Sequence, residues 1–216
     1  MDKIPRFSDL PLRQGDPHHS AWGLYGDDDE LGFLNRLTDG VVLEAAQEIK
    51  TGTSWRLKNN VGYEPFKAGS IPLAQLQAVA RDQGVDIKFG DILLVRSGYL
   101  AAYKALEKTE LSALSKVMPP PFTGVEQSEE VLQWIWENFS AVAGDQPSFE
   151  CWPSKADYML HEVLLAGWGC PIGELFDLEA LAEHCAKEKR WSFFLTSKVC
   201  NVPGGVASPP NILAIF

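Results

Sequence analysis

Leu160-His161-Glu162-Val163-Leu164-Leu165, followed by Pro171-Ile172-Gly173-Glu174-Leu175-Phe176, is the stretch on which the reading of this chain turns. The first run carries apolar residues at helical offsets, and the second is a short apolar run of strand length. Leu178 to Glu188 then returns to the helical pattern and Trp191 to Thr196 to the strand pattern. Toward the N-terminus, Ile92-Leu93-Leu94-Val95 is apolar on both faces and reads as a central strand, and Ala141-Val142-Ala143 reads as a second buried one. Helices are expected from a Thr38 or Asp39 cap to a stop at Gly52, from Pro72 to Gln83 with Gly84 as the stop, over Ala101 to Leu106 and Leu111 to Met118, and after a Ser128 cap through Val131, Leu132, Ile135 and Trp136. A short strand is expected over Thr53 to Leu57, and Lys58 to Ser70 reads as a loop or junction. Such alternation is the signature of an α/β fold with a largely buried sheet. Residues 1–38, rich in Pro, Gly and Asp, read as an extended arm anchored by residues such as Trp22 and Tyr25, and 39–216 as one domain.

A chain of 216 residues with 45% hydrophobic content can bury a sizeable core. Its net charge of -10, with no Lys/Arg cluster, argues against nucleic-acid or anionic-membrane partners. No apolar run reaches the roughly 20 residues of a membrane-spanning helix, and Met1-Asp2-Lys3-Ile4-Pro5-Arg6 lacks the apolar core of a signal peptide, so a cytoplasmic location is expected. Cys151, Cys170, Cys185 and Cys200 form no C-x-x-C pair and read as free thiols.

The candidate chemistry sits in the opening stretch. Tyr158, His161, Leu164 and Leu165 share one helical face by their offsets, which points the imidazole inward, and Glu174 falls inside the next apolar run. Burying two titratable groups costs several kcal/mol unless they are paired, bound to an ion or set at a polar cavity. A carboxylate beside a buried imidazole fixes its tautomer and makes it a better base, although a core histidine bonded to a carbonyl would give the same pattern. Asp145 and Arg96 each end a predicted strand, where ligands collect in α/β sheets. An Asx turn at Asp145, and an ion pair of Arg96 with Asp91 or Asp145, are the competing structural readings. Gly204-Gly205 before Ser208-Pro209-Pro210 could lend backbone amides to an anionic intermediate, or simply form a turn. Asp27-Asp28-Asp29-Glu30 has no EF-hand spacing and reads as a solvated acidic turn. The other histidines are His18, His19 and His184, with no H-x-x-x-H spacing, so no resident metal or other cofactor is expected.

Taken together, these segments resemble the cyclase family related to bacterial kynurenine formamidase, in its fungal branch. The resemblance is carried by Ser20-Ala21-Trp22-Gly23-Leu24-Tyr25-Gly26-Asp27-Asp28-Asp29-Glu30-Leu31-Gly32 with Leu34-Asn35-Arg36-Leu37-Thr38, and by Gly90 to Gly98. Ala143-Gly144-Asp145-Gln146-Pro147-Ser148-Phe149-Glu150, the His161 to Glu174 segment, and Gly204 to Asn211 follow in the same order. It implies a swivelling β/β/α domain, and it matches His161 and Glu174 to the family's second-half active-site pair. It also implies substrate contacts from Trp22, Tyr25, Ser148, Glu150, Gly204, Gly205 and Ser208. Family enzymes carry an H-x-x-x-H-x-D metal motif, or a Trp-Asp-Gly variant with a downstream His, that has no counterpart here. A deletion between Lys58 and Ser70 would account for the loss, and the apolar surface it uncovers leads to an expected homo-oligomer.

The function expected on this basis is a metal-independent enzyme of fungal secondary metabolism that isomerises, dehydrates or cyclises a small molecule. His161 would be the acid or base, Glu174 its orienting partner, and Asp145, Arg96 or the Gly204-Gly205 loop would complete the site. The alternatives are a metal-dependent amide or lactone hydrolase whose ligands are completed by His18 or His19 or by a neighbouring subunit, and a non-catalytic scaffold.

Overall fold

In a computed structural model, residues 4–50, 63–200 and 202–216 are described. The expected Thr53–Leu57 strand lies outside them, as does the first part of the Lys58–Ser70 junction. The chain forms two compact units, one of Met1–Leu37 with Asn59–Leu178 and one of Thr38–Lys58 with Glu179–Phe216.

The first unit holds a parallel sheet of β2 (Asp91–Val95), β4 (Phe139–Gly144) and β5 (Ile172–Gly173), in the order β2-β4-β5. Among the described residues the central strand is therefore β4, and the more hydrophobic Ile92–Val95 run lies at the edge. Ser140, Ala141, Ala143 and Gly144 are small enough to be covered on both faces, and all of β4 is buried, whereas β2 is mostly half-buried. A second parallel pair joins β1 (Gly69–Ile71) to β3 (Thr123–Val125), two short strands without a legible apolar period. At the end of β3, Val125 also bridges to Glu150, with Val125 N donating to Phe149 O at 2.9 Å and Cys151 N to Val125 O at 3.0 Å.

Helix starts follow their caps. Ser128 Oγ accepts from Val131 N at 3.4 Å to open α5 (Glu129–Asn138), whose Val131, Leu132, Ile135 and Trp136 are buried. Pro72 precedes α2 (Leu73–Asp82), and Gly84 ends that region at φ +66°. Helices α3 (Tyr99–Ala105) and α4 (Lys108–Leu114) occupy the two segments expected to be helical before the triple proline. The His161 segment is helical from Leu160, but Glu162–Gly167 winds as a π-helix. That wider winding changes the phase of the expected face. Leu164 is fully buried, Leu165 is half exposed, and Tyr158 precedes the helix.

The N-terminal segment is part of this core. Phe33, Trp136 and Trp168 form an aromatic cluster with centroid separations of 5.1 to 5.5 Å. Gly32 and Gly169, at φ +53° and +62°, touch so closely that a Cβ on Gly32 would lie 2.5 Å from Gly169 O. Beside them Phe33 N donates to Gly169 O at 3.2 Å.

In the second unit, Thr38 caps α1 (Asp39–Ala46), and β6 (Phe194–Lys198) pairs antiparallel with β7 (Asn211–Ile215) after α6 (Glu179–Glu188). Arg190 joins Glu48 Oε2 at 2.6 Å, and His184 packs on Phe216.

Candidate active site

Three parallel strands of the first unit end on one edge, and a polar residue follows each: Arg96 after β2, Asp145 after β4 and Glu174 after β5. This is the edge at which open α/β sheets bind ligands. Asp145 is fully buried there, and its carboxylate accepts from Ser97 N at 2.6 Å, Ser97 Oγ at 2.8 Å and Gly98 N at 2.9 Å. Burial pushes its pKa up against these hydrogen bonds and the nearby Arg96 guanidinium. Committed to three donors and closed to solvent, Asp145 ties the ends of β2 and β4 together, and the catalytic expectation gives way to a structural one.

Glu174 leaves the sheet differently. Leu175 adopts φ +54°, a strained conformation for this residue, and Leu175 N and Phe176 N donate to Gln146 O and Gly144 O. The chain is thereby pinned to the end of β4 while the Glu174 side chain stays one-third exposed. Its Oε1 lies 3.1 Å from His161 Nε2.

The other imidazole nitrogen defines the site. His161 Nδ1 lies 2.7 Å from Glu150 Oε2, and His161 N donates to Glu150 Oε1 at 3.3 Å. The Glu150 side chain is 1% exposed, which leaves it no face for a substrate. The carboxylate that orients the imidazole is thus Glu150, expected instead as a substrate contact, and the one-third-exposed Glu174 lies at the other nitrogen. Ser148 Oγ donates to Glu150 Oε2 at 3.2 Å and so serves the same carboxylate.

A glycine makes this placement possible. A Cβ on Gly124 would lie 2.3 Å from the Glu150 carbonyl carbon, so only glycine lets β3 approach that backbone.

The electrostatics follow from the geometry. Hydrogen bonds to Glu150 and then Glu174 raise the His161 pKa from 6.5 to about 10, with burial opposing. Burial pushes Glu150 up, but its hydrogen bonds and charge interaction with His161 prevail and its pKa is lowered. At neutral pH His161 is therefore held as an imidazolium beside the Glu150 carboxylate.

Trp22 stands beside the π-helical turn, 47% exposed, with Nε1 donating to Ala166 O at 2.8 Å. Tyr25 instead receives Arg36 Nε at 3.4 Å and packs on the core. Gly204, Gly205 and Ser208 belong to the second unit, where the Gly205 amide closes a turn on Val202 O at 2.9 Å. That amide is spent on the turn.

A metal at this pair, as the family resemblance implies, would have His161 Nε2 and Glu174 as donors, with Glu150 orienting the ring. A catalytic zinc takes three protein ligands. Among the described residues, the three-residue donor group with ligand atoms within 4.8 Å of one another is His18, His19 and Glu129, which does not include this pair. Two donors do not make the set such an ion needs.

No family model matches the sequence, and no curated protein matches it. Among solved structures, a crystal structure described as that of a novel cyclase is similar to this chain. The two superpose with a TM-score of 0.76 over 91% of this chain and 99% of that one, at 21% sequence identity. A likeness at that identity shows that the fold is shared.

Proposed function

We propose that this protein is a cyclase-type enzyme that moves protons on a small molecule with its Glu150–His161–Glu174 triad, in an isomerisation, dehydration or ring closure. The observation that carries this reading is the double engagement of the half-buried imidazole, with one nitrogen on a buried carboxylate and the other on a half-buried one. The shared fold agrees with it, and the Ser20 to Thr38 resemblance supports a place in fungal secondary metabolism.

Glu174 is the base and the His161 imidazolium the acid, reversing the expectation that Glu174 only orients the ring. In a dehydration, Glu174 takes the proton from carbon while His161 Nε2–H protonates the departing hydroxyl, which leaves as water. Protonated Glu174 then returns a proton to neutral His161 across the 3.1 Å contact, restoring both groups. Isomerisation and cyclisation use the same couple with the second proton delivered to the substrate. Glu150 keeps the ring charged and aligned throughout.

Glu174→Gln tests the reading, because it keeps the size of a half-buried side chain while removing its basicity. Turnover of the substrate found by screening small hydroxylated carbonyl compounds should fall about 10²- to 10⁴-fold with the circular dichroism and Tm unchanged. Unaltered turnover would rule out the assignment.

A further inference from the structure

One cluster outside the triad brings two imidazoles and a carboxylate together. His18, His19 and Glu129 offer ligand atoms that all lie within 4.8 Å of one another. Consecutive side chains on an extended backbone point to opposite sides. His19 breaks that alternation by adopting φ +60°, and the His18 and His19 rings lie 3.7 Å apart between centroids. A non-glycine residue in the left-handed region is a strained one, and here the surroundings hold it. His19 stacks on Phe7 at 4.6 Å, and its carbonyl accepts from Trp168 Nε1 at 2.7 Å.

His19 is also an incompletely satisfied buried group. The residue is 6% exposed, Nε2 lies 2.7 Å from Glu129 Oε2, and Nδ1 has no hydrogen-bond partner. Leaving such an atom unpaired opposes folding, and an ion held by the ring offsets that opposition. We propose that His18, His19 and Glu129 bind a divalent transition-metal ion of the zinc type. Two imidazoles with one carboxylate suit zinc and its neighbours, whereas calcium and magnesium prefer oxygen alone. Zinc ligands at about 2.0–2.2 Å stand about 3.4 Å apart in a tetrahedron. The exposed His18 and half-exposed Glu129 side chains can turn to close from the 4.8 Å limit. The ion would join the N-terminal segment to the start of α5. None of the three residues belongs to the acid–base triad.

The test uses tag-free full-length protein stripped with a chelator, titrated calorimetrically with Zn²⁺ and by visible absorption with Co²⁺. One equivalent should bind, and the Tm should rise with zinc. His18→Ala and Glu129→Gln, both at accessible side chains, should keep the metal-free circular dichroism spectrum yet weaken zinc binding about tenfold or more. His161→Gln should bind zinc as the parent protein does. Absence of saturable binding, unchanged affinity in both His18→Ala and Glu129→Gln, or loss of the ion in His161→Gln would each overturn the proposal.

Discussion

At the residue scale, the imidazole at 161 takes its character from Glu150. Neither 1% nor 30% side-chain exposure would suit a lone charge, but a paired carboxylate and imidazolium can be held there. Glu150→Gln keeps the shape and removes the charge that lifts the His161 pKa toward 10. The alkaline limb of the kcat/KM profile, where the imidazolium loses its proton, should therefore move to lower pH, with kcat down about 10- to 100-fold. An unmoved limb would show that the acid is not His161. Truncating the ring is a worse probe: His161→Ala strands the Glu150 charge and should lower stability by about 3–5 kcal/mol in urea unfolding. Arg36 is the residue whose importance the sequence hid. It reads as part of an arm, yet it is fully buried over the Phe33 ring at 3.4 Å, and Nη1 donates to Trp136 O and Phe139 O at the end of α5. No local pattern marks a guanidinium that caps a helix about a hundred residues away.

At the scale of elements, the site depends on how closely backbones pass. Glu150 is positioned by its bridge to Val125 beside Gly124, and a methyl at 124 would meet that backbone at 2.3 Å. Gly124→Ala should destabilise the fold by about 1–3 kcal/mol and reduce kcat as well, through displacement of a carboxylate that lies elsewhere in sequence. Denaturant titration and single-turnover rates measure the two effects. The sequence showed the capped starts of α1 and α5 and the Pro72 boundary of α2, since caps are set by a few adjacent residues. It did not show β1, β3 or β7. The first two are three-residue strands defined by pairing, and β7 follows a Pro-rich run that reads as loop. The π-helical winding was equally illegible, so the exposed position of Leu165 could not be foreseen from offsets of three and four.

For the whole molecule, the Glu150–His161 pair links folding to pH. His161 has a folded pKa raised from 6.5 to about 10, so its contribution is complete below 6.5 and is lost as pH rises through 10. Glu150 has a folded pKa below its ordinary 4.5, so its contribution is complete above 4.5 and is lost as pH falls through the lowered value. The pair therefore supports the fold most fully between pH 4.5 and 6.5. The Tm should decline from pH 6.5 to 10.5, and His161→Gln should flatten that decline; equal slopes in the two proteins would separate the pair from folding. Charge, composition, the capped helix starts and the runs that became β2 and β4 were fixed by the sequence itself, because they depend on neighbours along the chain and on the balance of apolar to charged residues. So were the candidacies of His161 and Glu174, two titratable residues in apolar runs. Which strand is central, which carboxylate charges the imidazole, and which histidines meet Glu129 were decided only by tertiary structure. Each of those depends on groups separated along the chain meeting in the fold, and a contact of that kind leaves no periodic trace in the order of residues.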